Sequence, residues 1–243
     1  MKFSIRIFIA FALSCFFKIA LVAQKDTIIH KKDRKKDVLL QTNMGNMLLR
    51  LSDSTPIHRD NFLKLVKGKF YDGVLFHRVI NHFMIQGGDE KTRDTLRYKP
   101  VIKEVHYTLP AELRPYLFHK KGALAAARMG DNVNPKKESS GSQFYIVQGK
   151  VFSDAGLDSV ENFRLNGKKL PSEHRKVYKT LGGTPHLDFG YTVFGEMVYG
   201  MEVLDKIAAV PTHKVAGVDK PVEDVIILKA SLVKRKKQSK PNI

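Results

Sequence analysis

Cysteine is nearly absent: the 243 residues hold a single one, Cys15. No internal disulfide can form, and a paired Cys-x-x-Cys metal or redox motif is excluded. Acidic residues are also scarce, with 24 Asp and Glu against 42 Lys and Arg, for a formal charge of +18. That excess raises a nucleic-acid partner, but it is spread thinly and is dense only at 31–36 and 234–237. Terminal charge blocks read as solvated tails. No nucleic-acid motif accompanies them, so no nucleic-acid partner is expected. Gly-x-Ser-x-Gly, His-Glu-x-x-His and the Walker loop are missing as well. The nine histidines show no metal-ligand spacing, and His77 and His82 read as structural. No metal and no cofactor are expected. Without a nucleophile and base pair, covalent catalysis is set aside. Internal repeats are absent too.

What is present suffices for one large domain with decorations: 43% of the residues are hydrophobic, enough for an ordinary core. Residues 1–23 carry Lys2 and Arg6, an apolar run over 7–17, a second apolar patch over 19–23, and the small Ala23 before polar Gln24. This is the layout of a secretory signal peptide cleaved after Ala23, so an exported, periplasmic protein is expected. Two alternatives stay open. A retained anchor is opposed by Lys18, because a membrane span needs roughly 20 apolar residues. Lipid attachment at Cys15 is the other, since Ala12, Leu13 and Ser14 loosely resemble a lipoprotein cleavage box. Membrane association is expected only in that lipidated case.

Residues 24–36 are polar and aperiodic and read as a flexible basic leader. Structure is expected from Asp37, with a domain over 37–233 and a basic tail over 234–243. Val38, Leu39 and Leu40, then Met47, Leu48 and Leu49, flank an Asn/Gly turn and predict a β-hairpin. Thr55-Pro56 is an N-cap and N1 pair opening a helix that Gly68 closes. Short apolar runs at 74–80, 83–86, 123–127, 144–147 and 191–197 predict strands. A helix over 201–208 and a final strand over 225–233 follow. Many short strands with two core helices suggest a closed antiparallel barrel. The segment 150–183 exceeds any hairpin connection. A helix is predicted over 171–181, between Pro171 and Gly182. A packed surface insertion without chemistry is the plainer reading, one that leaves small-peptide turnover untouched if the segment is shortened.

Three separated segments carry the chemistry. The first is Phe76-His77-Arg78-Val79-Ile80-Asn81-His82-Phe83-Met84-Ile85-Gln86-Gly87-Gly88-Asp89. The second joins Gly122-Ala123-Leu124-Ala125-Ala126-Ala127-Arg128 to Gly141-Ser142-Gln143-Phe144-Tyr145-Ile146-Val147. The third is His186-Leu187-Asp188-Phe189-Gly190-Tyr191-Thr192-Val193-Phe194-Gly195. Taken singly, Arg78 reads as a strand arginine paired with a carboxylate such as Asp89. Phe83, Met84 and Tyr145 read singly as core packing, with methionine filling gaps. Together and in this order, the segments resemble the cyclophilin family of peptidyl-prolyl cis/trans isomerases over residues 38–233, apart from the insertion.

The resemblance implies a mainly β fold: a closed eight-stranded antiparallel barrel capped by two helices, with a partly helical insertion and a groove on the outer face. It implies catalytic roles for Arg78, Gln86 and Phe83. It implies a proline pocket of Phe83, Met84, Tyr145 and Leu187, peptide contacts at Gln86, Ala127, Gln143, His186 and Tyr191, and backbone contacts at Arg128. Proline-containing polypeptides are the implied partners. The alternative is a module that binds proline segments with incidental turnover. Turning the amide faces a barrier of ~18–20 kcal/mol. A guanidinium that donates to the nitrogen lone pair exposed only in the twisted state lowers it selectively. Five positions depart from the common pattern. Asn81 and His82 replace a Pro or Gly turn, Arg128 an asparagine, Tyr145 a phenylalanine and His186 a tryptophan. The last weakens the expected cyclosporin grip.

Overall fold

The computed structural model describes residues 27–235. The expected export leader at 1–23, the cleavage site after Ala23, Cys15 and most of the basic tail lie outside the described residues. In the stretch expected as a leader, Asp33 is buried and pairs with Lys36 at 3.1 Å and Lys67 at 3.0 Å. Arg34 grips Asp60 through Nε and Nη2. Opposite charges on the first helix thus hold the end of this basic stretch.

In chain order the elements are β1 (Lys36–Thr42), β2 (Gly45–Leu51), α1 (Pro56–Lys67), β3 (Arg78–Ile80), β4 (Met84–Gly87), β5 (Thr108–Leu109), β6 (Ala123–Ala126), β7 (Ser139–Ser140) and β8 (Phe144–Val147). Then come α2 (Asp154–Phe163), α3 (Ser172–Thr180), β9 (Val193–Tyr199), α4 (Met201–Ala208), β10 (Thr212–Val215), β11 (Val218–Pro221) and β12 (Ile227–Lys234). Eight strands form one antiparallel sheet in the order β12-β1-β2-β9-β6-β8-β4-β3.

Closure is the point on which expectation and structure differ. No ladder joins edge strand β3 to edge strand β12. The two edges meet instead at an isolated Leu75–Ile226 bridge. It is flanked by bonds from Phe76 N–H to Val225 O and from Ile227 N–H to Val74 O, both 2.9 Å. The apolar run expected as one strand over 74–80 is therefore divided. Its first half meets the approach to β12, and its second half pairs with β4 as β3.

Side-chain alternation sorts the sheet into two faces. Phe144 and Ile146 of β8, and Leu124 and Ala126 of β6, join the main core with Val38, Leu40, Met47 and Leu49. Phe62, Leu63, Leu65 and Val66 of α1, and Val203, Leu204 and Ile207 of α4, cap that core. Tyr145, Val147, Ala123 and Ala125 point the other way and build a second cluster with Met84 and Val193. Helix α1 begins at Pro56 as expected, but Thr55 makes no side-chain cap. The Glu112 carboxylate accepts from the Ile57 and His58 N–H groups at 3.2 and 2.9 Å instead. A negative group there suits the positive end of the helix dipole.

The insertion holds two helices. The predicted helix is α3, and α2 was not anticipated. Leu157, Leu170 and Tyr178 form a small core of their own, joined by Phe118, Phe152, Leu165 and Phe189. Arg175 on α3 reaches Asp154, Asp158 and Glu161 of α2. No helix among the described residues is long and apolar enough to cross a membrane. No group of three or more metal-ligating side chains occurs among them.

Candidate active site

The outer-face cluster floors a cavity of about 180 Å³ lined by Arg78, Phe83, Met84, Gln86, Ala127, Arg128, Tyr145, Leu187 and Tyr191. Strand register brings most of these residues together. Arg78 lies opposite Gln86 across β3 and β4, and Gln86 lies opposite Tyr145 across β4 and β8. The tight turn between β3 and β4 places Phe83 beside Arg78, with the guanidinium carbon 6.0 Å from the ring centre. His82 takes a left-handed conformation there, φ 59°, where glycine carries no penalty. Its N–H is held by Asn81 Oδ1 at 2.9 Å and by Gln148 Oε1 at 2.5 Å.

Two hydrogen-bonded chains converge on the cavity. The first runs along its rim. Arg78 Nη1 donates to Gln86 Oε1 at 3.2 Å, and Gln86 Nε2 donates to Gln143 Oε1 at 3.1 Å. Gln143 does not line the cavity itself. It borders an adjoining groove with Ala127, Arg128 and Ser140, and its carbonyl accepts from Ala127 N–H at 3.0 Å.

The second chain lies beneath the floor. The Tyr145 hydroxyl is 2.9 Å from His119 Nε2, and His119 Nδ1 is 2.8 Å from Asp188 Oδ1. Tyr178 O–H donates to Asp188 Oδ2 at 2.7 Å. All four residues are buried. Burial, and then the neighbouring Tyr191 and Asp188, push the Tyr145 phenol well above its ordinary range, so it stays neutral. The hydroxyl that distinguishes Tyr145 from the common phenylalanine is turned onto His119. Sequence reasoning missed His119 and Tyr178, and it assigned Asp188 no role. No spacing rule links position 119 to positions 145, 178 and 188.

The Arg128 side chain has a role that the sequence did not show. Its side chain is 4% exposed, with Nε donating to Gly190 O at 2.7 Å and Nη2 bonded to Asp131 at 2.6 Å. The guanidinium lies 4.4 Å from the Tyr191 ring centre, within cation–π range. Its side chain therefore holds Tyr191 and the Gly190 turn as part of the cavity wall. His186 stacks on Phe83, with ring centres 5.4 Å apart, at the rim rather than in the lining. Burial, reinforced by Arg164, lowers its pKa from 6.5 to about 4. The ring is neutral at neutral pH, so the reduced ring area, not charge, distinguishes it from tryptophan.

Residues 38–232 match the family model described as cyclophilin type peptidyl-prolyl cis-trans isomerase/CLD. A protein of Staphylococcus haemolyticus named a peptidyl-prolyl cis-trans isomerase is 38% identical over 200 residues, spanning 81% of this chain and 90% of that protein. A bifunctional phosphatase/peptidyl-prolyl cis-trans isomerase of Streptococcus pyogenes is 40% identical over 78% of this chain and 37% of its own length. Among solved structures, a Cryptosporidium parvum cyclophilin-type isomerase superposes with a TM-score of 0.58 at 24% identity, covering 83% of this chain and 99% of that one. The same protein solved in the presence of the dipeptide Ala-Pro gives 0.57.

Proposed function

The chain belongs to the cyclophilin-type peptidyl-prolyl cis-trans isomerases, and on that premise we propose that Arg78 drives the rotation at the outer-face cavity. Phe83, Met84, Tyr145 and Leu187 grip the prolyl ring. The residue before proline lies toward the Gln143 groove, where backbone groups near Ala127 and Arg128 hold the peptide. As the amide twists, its nitrogen loses conjugation and gains a lone pair. Arg78 donates to that lone pair, and Gln86 keeps the guanidinium aimed across the cavity mouth. Arginine suits the role because it stays charged and presents fixed N–H groups. The apolar floor excludes water and strengthens the interaction. No group is transferred, so no cofactor is required.

The observation that carries this reading is the Arg78–Gln86–Gln143 chain set against an apolar, proline-sized floor. A binding module has no need of an arginine held in this manner. In a prolyl tetrapeptide assay, Arg78→Ala is expected to lower kcat/KM by about 100-fold or more, the scale of one lost transition-state donor. Its melting temperature is expected to stay close to wild type. A full rate in folded Arg78→Ala contradicts the mechanism.

Export to a periplasm belongs to the same proposal. Uncatalysed Xaa-Pro isomerisation takes tens to hundreds of seconds, so a compartment where secreted chains fold gains from this enzyme. The basic start, the apolar run over 7–17 and Ala23 before Gln24 support it. N-terminal sequencing of native protein is expected to begin at Gln24. A lipid-modified Cys15 at the N-terminus overturns soluble export in favour of a membrane-anchored lipoprotein.

A further inference from the structure

The insertion and the cavity are joined in a way that neither the family match nor the sequence motifs describe. Tyr178 lies on α3, within the insertion's own small core. Its ring packs edge-on against Phe118 at 5.5 Å and Phe152 at 6.5 Å. Phe118 directly precedes His119, and Phe189, in the same core, directly follows Asp188. The insertion core is thus built around the chain neighbours of the two central relay residues. The backbone adds a second tie: Gly183 bridges both Lys120 and Lys150, and Thr184 N–H donates to His119 O at 2.8 Å. A Cβ at Gly183, φ 153°, would lie 2.2 Å from the His119 carbonyl oxygen, so only glycine permits this approach.

The hydrogen-bond directions follow from the groups. The Asp188 carboxylate receives three donors: His119 N–H at 2.9 Å, His119 Nδ1–H at 2.8 Å and Tyr178 O–H at 2.7 Å. With its proton on Nδ1, His119 presents Nε2 as an acceptor, and Tyr145 O–H donates to it. The Tyr145 hydrogen therefore points away from the cavity, and the ring is fixed at its far end. Asp188 also fixes the backbone beside Leu187, which supplies another cavity wall. Every polar atom in this buried series is satisfied except where the hydroxyls keep spare lone pairs. Removing one member leaves a buried neighbour unpaired.

We propose that Tyr178, through Asp188 and His119, positions Tyr145 at the floor of the prolyl pocket, so that the insertion sets the enzyme's affinity for proline-containing peptide. This rests on the reading of the cavity as the prolyl site. Tyr178 and His119 are positioning residues and touch no substrate. The insertion, read from sequence as replaceable, is on this account part of the pocket's support. Tyr145 meets the prolyl ring in both the planar and the twisted amide, so loosening it weakens both states alike. That pattern raises KM and leaves kcat in place.

The test uses Tyr178→Phe, which keeps the packing ring and removes only the hydroxyl, together with Tyr145→Phe and the double variant. Tyr178→Phe is expected to raise KM about fivefold, the scale of one buried hydrogen bond, with kcat unchanged. In the Tyr145→Phe background, where the relay is already cut, the same substitution is expected to have no further effect. The His119 ring nitrogens, followed by long-range proton–nitrogen NMR, are expected to shift in Tyr178→Phe. An unchanged KM, an equal KM rise in both backgrounds, or unmoved His119 resonances overturns the relay. Arg78→Ala measured in the same series separates the two readings. If it keeps full activity the prolyl-site assignment fails, and if it is inactive while the Tyr178 cycle shows no coupling, only the relay fails.

Discussion

Two hydrogen-bonded chains approach one cavity, and they are built differently. The rim chain, Arg78–Gln86–Gln143, is half-buried, uncharged beyond its first member, and joined by bonds of 3.2 and 3.1 Å. The floor chain, Tyr145–His119–Asp188–Tyr178, is buried, centred on a carboxylate, and joined by bonds of 2.9, 2.8 and 2.7 Å. A donor that must engage a transient lone pair needs a holder weak enough to share it. A pocket wall that must keep its shape needs short bonds in a dry place, where they are strongest. The comparison teaches that the same surface separates a reactive edge from a rigid base.

Cutting each chain at its acceptor gives the largest contrast. Asp188→Ala strands the His119 and Tyr178 donors and is expected to cost about 3 kcal/mol of stability, read from urea unfolding. Gln143→Ala on the rim is expected to stay within about 0.5 kcal/mol. Equal losses would erase the distinction between the two chains.

A smaller effect concerns the histidine stacked on Phe83. His186 has its folded pKa depressed from 6.5 to about 4 by burial and then by Arg164. Between those values the unfolded chain binds the extra proton, so stability falls as pH drops from 6.5 toward 4 and levels off below. His58, His77 and His174 are lowered by burial and act in the same direction. Melting temperature is expected to decline over that window, and His186→Phe is expected to decline less steeply. An identical pH slope in the variant would show that His186 is not held neutral.

Much of this was legible in the sequence, and the reasons are local. The continuous apolar run over 144–147, which is buried on both faces, and a turn signal at Asn43 specify strands. The helix over 201–208 showed its apolar spacing, and the three motif segments named every residue lining the cavity. What escaped notice depends on pairing across distant chain. Glu112 caps α1 in place of Thr55, Asp33 and Arg34 dock on α1, and His119 meets Tyr145 and Asp188. None has a sequence period. The side-chain role of Arg128 was hidden because its guanidinium finds Gly190, Asp131 and Tyr191 only after folding. The division of 74–80 between two partners was hidden for the same reason. A run of apolar residues states that a strand exists and says nothing about which edge it meets.

The central claim is that Arg78 acts on the twisted amide and not on the bound peptide. Separate kcat and KM values for Arg78→Lys, which keeps the charge and loses the planar fork, test it most directly. The account predicts KM within about twofold of wild type and kcat lowered by about tenfold or more. Wild-type kcat in that variant, or a loss carried wholly by KM, would contradict it.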